Sequence, residues 1–324
     1  MDRVKWGILG TANIARGCTI PGMKQAQNCE LYAIAGRSPE KAKSFAKEFG
    51  IGKAYGSYAE LLEDEAVQAV YVPLPNHLHL EWVTKALRAG KHVLCEKPLA
   101  LNAKEAAEMY RTAEECGVIL AEAYAYLQSP YVECLKQDVL SGRIGEVDYL
   151  ETAFITQGYE EDFRLHKEFG GGAMYDLGCY CTTMILSLVD SEPEFVKASA
   201  EFSDLGVDLM TAGLIRFANG TRASFNVGMI LGEHSNSRFD RLYIHGSKGS
   251  VRSEVEYNQE GEVSYRIFTK DGVTERRVSV PQNYRLEIEQ LGRCILQGDE
   301  PRVTAEFSMK NAELMDRVLQ EIGY

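Results

Sequence analysis

Short, continuously apolar segments alternate with helical segments from residue 4 to residue 121, and no other feature constrains the fold as strongly. The apolar segments are residues 4–9, 31–35, 67–72, 92–95 and 118–121. Between them lie helix-capping signals, such as Ser38-Pro39-Glu40 and the Asn102/Glu105 pair. Continuous apolar strands that alternate with helices are typical of a parallel sheet covered on both faces. The first part of the chain is therefore predicted to form a doubly wound α/β domain.

The pattern changes after residue 122. A helix that ends at Gly142 is followed by a longer, partly alternating strand at residues 146–156. Further strand-like segments lie near residues 194–203, 209–218, 221–230, 238–246 and 263–280, and helices lie near 284–297 and 306–322. The Asn219-Gly220 and Asp271-Gly272 pairs are hairpin signals, and strands joined by tight turns form antiparallel sheets. We predict domains at residues 1–122 and 123–324, the second an α/β domain with a large, open, mainly antiparallel sheet.

The net charge and the cysteine pattern argue against several classes of partner. The 324 residues carry a formal net charge of −12, whereas a nucleic acid or an anionic membrane requires a basic face. No apolar run approaches the roughly 20 residues that span a bilayer, and the N-terminus enters a strand without a signal-peptide core. The eight cysteines form no CxxC pair and no metal spacing with the six histidines. We expect a cytoplasmic protein with reduced thiols, no metal and a small-molecule partner.

The turn after the first strand has features of a dinucleotide-binding site. The dinucleotide fingerprint uses glycines for a tight turn, for approach of the pyrophosphate and for helix packing. Gly10 occupies the first of these positions, whereas Ala12 and Ala15 stand at the other two. The helix that follows has free N–H groups at its N-terminus, which suit an anion. The predicted cofactor-binding residues at this turn are Gly10, Thr11, Ala12, Asn13 and Ile14.

The end of the second strand bears on which dinucleotide is bound. A fold specific for NAD(H) usually has Asp or Glu there, which accepts hydrogen bonds from the ribose hydroxyls. This chain has Arg37 and Ser38, with Lys41 one turn into the helix. A guanidinium binds a phosphate and stacks on an aromatic base. NADP(H) is therefore the preferred cofactor, and NAD(H) use stays open.

Two further segments carry groups that suit proton transfer. Glu96-Lys97-Pro98 follows the apolar strand at residues 92–95, at the strand end where open α/β sheets place their chemistry. Three glycines at residues 170–172 lead into a helix in which Asp176 and Tyr180 are four residues apart, on one face. A phenol with a pKa near 10 is a poor base at pH 7 unless a cation stabilises the phenolate, and Lys97 could supply that charge.

These motifs, together with Pro73-Leu74-Pro75-Asn76-His77-Leu78-His79, resemble those of the Gfo/Idh/MocA family of oxidoreductases. The resemblance runs the length of the chain and rests on the order and spacing of residues 73–79, 96–98 and 170–180. It implies a Rossmann domain followed by an α/β domain with a large open antiparallel sheet. An X–Pro bond in a turn of this kind is a candidate for the cis isomer, so a cis Lys97-Pro98 bond is predicted.

The resemblance also implies roles for individual residues. Lys97 would lie between the nicotinamide ribose and the substrate, and Glu96 would help to hold the cofactor. Asp176 matches the aspartate of the family, and Tyr180 stands where most members have a histidine. The cofactor-binding set is completed by Pro73, Leu74, Asn76 and His79, the last two at positions near the nicotinamide.

Tyr180 indicates the subgroup that resembles dimeric dihydrodiol dehydrogenase, glucose–fructose oxidoreductase and NADP-dependent xylose dehydrogenase, in which tyrosine is the acid/base. Asp162-Phe163-Arg164-Leu165 is also similar to that subgroup. Arg164 and Phe154 are the substrate-binding candidates. Residues 124–130 lack the Arg-Phe-His that many members carry, so no specific substrate is transferred from the family.

The expected function is NADP(H)-dependent hydride transfer to or from a sugar, a sugar-derived carbonyl or a related vicinal diol. Its catalytic residues would be Lys97, Asp176 and Tyr180. Two alternatives stay open: a redox-neutral glycosidase with a tightly held cofactor, and a non-catalytic regulator that senses NADP. Because an open sheet leaves one face to be covered, a homodimer or homotetramer through that face is also expected.

Overall fold

The computed structural model describes residues 2–233, 238–254 and 257–324, which divide into two compact units. Unit 1 contains the chain up to Gln128 together with Pro281–Met309, and unit 2 contains Ser129–Val280 together with Lys310–Tyr324. Pro281–Met309 belongs to unit 1 because Ile288 and Leu291 are buried in its core. The domain boundary after residue 122 stays a prediction.

Strands and helices follow one another regularly in the first unit and segregate in the second. The strands are β1 (Val4–Leu9), β2 (Cys29–Ala35), β3 (Lys53–Tyr55), β4 (Ala69–Val72), β5 (His92–Glu96), β6 (Leu120–Ala123), β7 (Val147–Gln157), β8 (Pro193–Phe202), β9 (Asp208–Phe217), β10 (Arg222–Leu231), β11 (Arg238–Gly246), β12 (Gly249–Ser253), β13 (Gly261–Thr269) and β14 (Gly272–Val280). The helices are α1 (Ile20–Gln25), α2 (Pro39–Phe49), α3 (Tyr58–Glu63), α4 (His79–Arg88), α5 (Ala103–Cys116), α6 (Pro130–Leu140), α7 (Cys179–Leu188), α8 (Asn283–Gln297) and α9 (Ala305–Ile322).

The sheet of unit 1 has the strand order β3-β2-β1-β4-β5-β6, and its neighbouring strands pair in parallel. The order reverses next to β1, and this reversal creates the crevice at the carboxyl ends of the strands where doubly wound folds bind dinucleotides. The core of the unit includes Trp6, Ile8, Tyr71 and Leu94. The predicted Rossmann-type parallel sheet is confirmed.

The sheet of unit 2 has eight strands in the order β14-β13-β12-β11-β7-β10-β9-β8. The pair β10–β7 is parallel and the other neighbouring pairs are antiparallel. Leu150 and Phe225 are buried, whereas Leu214, Ile230 and Phe239 are 42–44% exposed. The predicted large, mainly antiparallel sheet is confirmed, and it carries exposed apolar side chains.

The sequence analysis did not predict two of the strands that the structure describes. β3 and β12 are short, and most of their residues are partly buried or exposed, so neither produces an apolar run. The predicted segment at 263–280 forms the hairpin β13–β14, which turns at Lys270-Asp271-Gly272. All eight cysteines are free thiols. Within residues 2–233, 238–254 and 257–324, no helix combines the length and the apolarity that a membrane span requires.

Candidate active site

Gly10 allows the chain to turn sharply after β1. Its φ is +128°, and a Cβ atom there would lie 3.2 Å from Leu74 Cδ2 and 3.9 Å from Pro73 Cγ. Three residues predicted for the cofactor site therefore lie together. The other predicted residues of this turn have partly or fully exposed side chains: Thr11, Ala12, Asn13 and Ile14. A tight bend with an accessible helix start fits the pyrophosphate of a dinucleotide.

Arg37, Ser38 and Lys41 lie where β2 leads into α2. The Ser38 hydroxyl accepts a hydrogen bond from the Lys41 backbone N–H at 3.3 Å and donates one to Glu40 Oε2 at 3.1 Å. Arg37 is exposed and lies near the Tyr58 phenol. Burial raises the pKa of Tyr58, and the positive charge of Arg37 offsets part of this rise. A guanidinium, a hydroxyl and an ammonium at this strand end fit a phosphorylated ribose, although Glu40 adds one negative charge beside them.

Glu96, at the end of β5, is held by two residues that the sequence analysis did not select. The Tyr71 hydroxyl donates to Glu96 Oε1 at 2.5 Å, and Thr19 Oγ1 donates to the Tyr71 oxygen at 2.9 Å. Burial, and then the charge of Glu96, raise the pKa of Tyr71 well above its ordinary value. Tyr71 therefore keeps its proton and orients the Glu96 carboxylate. The sequence signal was a tyrosine inside an otherwise apolar strand.

The loop that contains Lys97 begins with a cis Lys97-Pro98 bond, as predicted. His79 is fully buried beside this loop, with Nδ1 3.1 Å from Pro98 O and 3.2 Å from Leu99 O. Its Nε2 lies 2.8 Å from Leu74 O, so one imidazole joins two loops that carry predicted cofactor residues. Burial lowers the pKa of His79. Its contact with a cofactor stays a prediction, as does that of Asn76, which is buried just before α4.

In unit 2, the glycines at residues 170–172 let the Arg164 segment lie against the start of a helix. A Cβ atom on Gly171 would lie 2.4 Å from Arg164 O, which is closer than real side chains approach. Gly172 has φ +102°, and its N–H donates to Arg164 O at 2.8 Å. A side chain at Gly171 would push the Arg164 segment away, and one at Gly172 would collide with the Asp208 carboxylate.

This close approach brings Arg164 to Asp176. Arg164 Nε lies 2.9 Å from Asp176 Oδ2, and Arg164 Nη1 lies 2.9 Å from Asp162 Oδ1. Burial disfavours the charge of Arg164, but the surrounding acidic groups, Asp176 first, outweigh burial and raise the pKa of Arg164. A predicted substrate residue is thus paired with a predicted catalytic residue, which the 12-residue separation in the sequence did not suggest. Contact of Arg164 with substrate stays a prediction.

Asp208, on β9, caps the helical segment that carries Asp176. Its Oδ2 accepts hydrogen bonds from the Met174 backbone N–H at 2.9 Å and from Thr211 Oγ1 at 2.6 Å. The segment starts with a π-helical turn at Met174–Gly178 and continues as α7, in which Tyr180 lies. Asp208 is fully buried, and burial raises its pKa from 3.8 to about 6. A π-helical turn is frequent at functional sites.

Tyr180 lies in an aromatic cluster with Phe154 and Tyr257. The ring centroid of Tyr180 is 5.4 Å from that of Phe154 and 5.2 Å from that of Tyr257, and Phe154 and Tyr257 stack at 5.0 Å. The Asn258 side-chain amide donates to the Tyr180 hydroxyl at 3.4 Å. The cluster leaves the Tyr180 ring 9% exposed, so its phenol group has a defined position and little contact with bulk water.

Two charged residues support this cluster and were missed by the sequence analysis. The Arg238 guanidinium lies 4.4 Å from the Phe154 ring centroid and forms an ion pair with Asp240 at 2.9 Å. Asp240 Oδ2 also accepts the Tyr257 backbone N–H at 3.1 Å, and Arg238 Nη2 donates to Tyr257 O at 3.1 Å. Nothing in the sequence marks these residues, because they come from different strands and loops than Tyr180.

The described part of the chain contains no group of three His, Cys, Asp or Glu residues arranged to hold a metal ion. Unit 1 supplies a lysine ammonium and a crevice of the dinucleotide-binding type, and unit 2 supplies a phenol and a carboxylate paired with a guanidinium.

The comparisons with known proteins agree with this geometry. Residues 4–124 match the sequence model described as "Oxidoreductase family, NAD-binding Rossmann fold", and residues 132–252 match the GFO/IDH/MocA C-terminal domain. The chain is 31% identical to D-xylose 1-dehydrogenase (NADP(+)) 2 of Haloferax volcanii, over 97% of this chain and 96% of that protein. It is 30% identical to trans-1,2-dihydrobenzene-1,2-diol dehydrogenase of Xenopus tropicalis, over 98% of both.

A solved structure supports the same assignment. The crystal structure of KijD10, a 3-ketoreductase from Actinomadura kijaniata, in complex with NADP and TDP-benzene has a TM-score of 0.92 to this chain at 29% identity. The match covers 99% of this chain and 98% of that one. This protein belongs to the Gfo/Idh/MocA family of oxidoreductases.

Proposed function

We propose that this protein is an NADP(H)-dependent oxidoreductase that acts on a sugar, a sugar-derived carbonyl or a related vicinal diol, with Tyr180 as its acid/base, assisted by Lys97 and Asp176. The observation that carries the proposal is the position of Tyr180 on a capped helix that also holds the Asp176–Arg164 pair. A phenol held by Phe154 and Asn258 and shielded from water suits proton exchange with a substrate oxygen.

NADP(H) is the proposed cofactor because of both the residues and the relatives. Gly10 would face the pyrophosphate, Arg37, Ser38 and Lys41 the 2′-phosphate, and Glu96 with its Tyr71 partner the nicotinamide end. Relatives are described as an NADP(+)-dependent xylose dehydrogenase and as a ketoreductase in complex with NADP. When bound, the nicotinamide supplies or accepts the hydride.

Tyr180 moves the proton that accompanies this hydride. In alcohol oxidation the hydroxyl proton of the substrate passes to the Tyr180 oxygen, and in carbonyl reduction Tyr180 returns a proton to the new alkoxide. An ammonium near a phenol favours the phenolate, which is the role proposed for Lys97. Asp176 orients polar groups, and the Arg164 guanidinium, which it shares with Asp162, offsets part of its negative charge.

The substrate class follows from what the relatives act on. Their descriptions name a pentose, a dihydrobenzene diol and a deoxysugar nucleotide. Each contains an alcohol or ketone carbon that lies beside a second oxygen-bearing carbon or within a sugar ring. Hydride transfer at such a carbon requires a proton donor or acceptor within hydrogen-bond reach of its oxygen. This shared requirement supports the sugar or diol class, and the particular substrate is to be found by experiment.

The experiment is a panel of aldoses, ketoses, anhydrosugars and diols, scored with NADP(H) and NAD(H) by the absorbance of reduced nicotinamide. On the best substrate, Tyr180→Phe should lower kcat by about 10²–10⁴-fold, with NADPH affinity unchanged. Lys97→Met should be at least as damaging, and Asp176→Asn less so. Tyr175→Phe is the matched control, because it removes a phenol from the same helical segment outside the proposed machinery.

Near-normal turnover of Tyr180→Phe on a proven substrate would overturn the acid/base assignment and make Lys97 the leading candidate. A cofactor that stays bound through gel filtration, with turnover but no net change in nicotinamide absorbance, would instead indicate a redox-neutral glycosidase. Binding of NADPH without turnover of any compound in the panel would favour a regulator.

A further inference from the structure

Glu122 is a buried carboxyl beside the loop that contains Lys97. It lies on β6, is 3% exposed, and pairs in register with Cys95 on β5, just before Glu96 and Lys97. Its Oε1 accepts the Leu99 backbone N–H at 2.8 Å. His79 Nδ1 lies 3.2 Å from the carbonyl oxygen of the same residue, Leu99. The residue two positions after Lys97 is therefore held through both its N–H and its carbonyl.

The surroundings of Glu122 contain a positive charge and several neutral polar groups. Its second oxygen, Oε2, is also buried. The groups that face it from the packed elements are the Cys95 thiol, the Lys97 ammonium, the Tyr110 and Tyr124 phenols and the Ser308 hydroxyl. Among them, the Ser308 and Tyr124 hydroxyls stabilise the ionised carboxylate by hydrogen bonding, and the Lys97 ammonium adds a smaller Coulomb attraction.

We infer that Glu122 is a positioning residue for Lys97, which anchors the loop through Leu99 and keeps the Lys97 side chain cationic. This inference rests on the role proposed for Lys97. Two interactions act together, one geometric and one electrostatic. The hydrogen bond to Leu99 sets where the loop lies, and the carboxylate supplies the charge that opposes loss of the Lys97 proton.

The electrostatic part follows from linkage. If the Lys97 ammonium stabilises the Glu122 carboxylate, the carboxylate stabilises the ammonium by the same free energy. Burial raises the pKa of Glu122 to about 7, so the carboxylate forms as the pH passes through neutrality. From that pH upward the pair is mutually charged, and Lys97 holds its proton to higher pH than it would beside a neutral residue.

Two substitutions separate the geometric part from the electrostatic one. Glu122→Gln keeps an oxygen that accepts the Leu99 N–H but removes the charge. Glu122→Met removes both. Glu105→Gln is the matched control, because Glu105 Oε2 accepts the Leu101 N–H of the same loop at 3.2 Å while its charge is not among those that act on Glu122.

The test measures the reactivity of Lys97 directly and needs no substrate. The full-length protein is labelled with acetic anhydride at a series of pH values, and acetylation of Lys97 is measured by mass spectrometry. In Glu122→Gln, Lys97 should become reactive at a pH at least half a unit lower than in the wild type. This shift corresponds to about threefold higher reactivity than wild type at pH 8. Its NADPH affinity, measured by fluorescence titration, should stay within about twofold of wild type. Glu122→Met should weaken NADPH binding by more than Glu122→Gln does, since the hydrogen bond that anchors the loop is lost.

A kinetic readout accompanies the labelling. On a proven substrate, the alkaline limb of the kcat/KM profile should move to lower pH in Glu122→Gln and stay in place in Glu105→Gln. An unchanged Lys97 labelling profile in a folded Glu122→Gln variant overturns the inference, as does an equal shift in Glu105→Gln. Full turnover by Lys97→Met would contradict the proposed function instead, while leaving the labelling result intact. The two failures are therefore distinguishable.

Discussion

The buried carboxyl of Asp208 should make the stability of unit 2 depend on pH. Asp208 titrates at about 6 in the folded protein, against an ordinary value of 3.8, because burial disfavours its charge. A group with a raised folded pKa contributes stability that is complete below the unfolded pKa and is lost as the pH rises through the folded pKa. The difference of about two pH units corresponds to about 3 kcal/mol, which should be lost between pH 4 and pH 7.

Asp208→Asn removes this titration and keeps the fold of the site. The asparagine oxygen can accept both hydrogen bonds that Asp208 Oδ2 accepts now, one from the Met174 N–H and one from Thr211 Oγ1. The free energy of unfolding of the variant should therefore vary less with pH. Between pH 4 and pH 7, the free energy of unfolding of the variant should rise by about 3 kcal/mol relative to that of the wild type.

The assay is urea unfolding at a series of pH values from 4 to 8, followed by far-UV circular dichroism. Trp6 and Trp82 both lie in unit 1, so tryptophan fluorescence follows that unit separately if the two units unfold in different steps. Asp204→Asn is the control, since Asp204 is exposed in the turn just before β9. The reasoning would be refuted if the difference in free energy of unfolding between wild type and Asp208→Asn did not change across this pH range. It would also be refuted if Asp204→Asn showed the same pH-dependent difference from wild type.

Two further predictions concern the cofactor and the assembly. By calorimetry, the wild type should bind NADPH at least tenfold more tightly than NADH, which corresponds to about 1.4 kcal/mol of binding free energy. Arg37→Ala should remove most of this difference. Equal affinities of the wild type for the two cofactors would contradict the assigned role of Arg37. The open face of the unit 2 sheet, which exposes Leu214, Ile230 and Phe239, should be covered by a second copy of the chain. Light scattering at micromolar concentration should give the wild type a molecular mass that is a multiple of 36.1 kDa, and Phe239→Asp a lower mass. A wild-type mass of 36.1 kDa would contradict this interface.

Local signals in the sequence were sufficient for most of the fold. Ser38 and Asn102 cap their helices as the sequence indicates, because a cap involves only residues three positions apart. The parallel sheet follows from continuous apolar runs, and the hairpin β13–β14 follows from an Asp-Gly turn. β3 and β12 were missed because short, half-exposed strands carry no apolar pattern. The parallel pairing of β7 with β10 was not predicted either, because pairing between distant strands leaves no local trace.

The sequence by itself determined which residues we propose for the chemistry: the motif around Lys97, and Asp176 and Tyr180 in the helical segment after three glycines. Only the tertiary structure decided what holds them. It paired Arg164 with Asp176, gave Tyr180 the aromatic support of Tyr257, and set Glu122 under the Lys97 loop. Backbone preferences and hydrophobic periodicity act between near neighbours and can be read along the chain. Partners of a buried side chain come from remote segments that folding brings together, so hydrogen bonds and charge pairs of this kind are visible only in the folded protein.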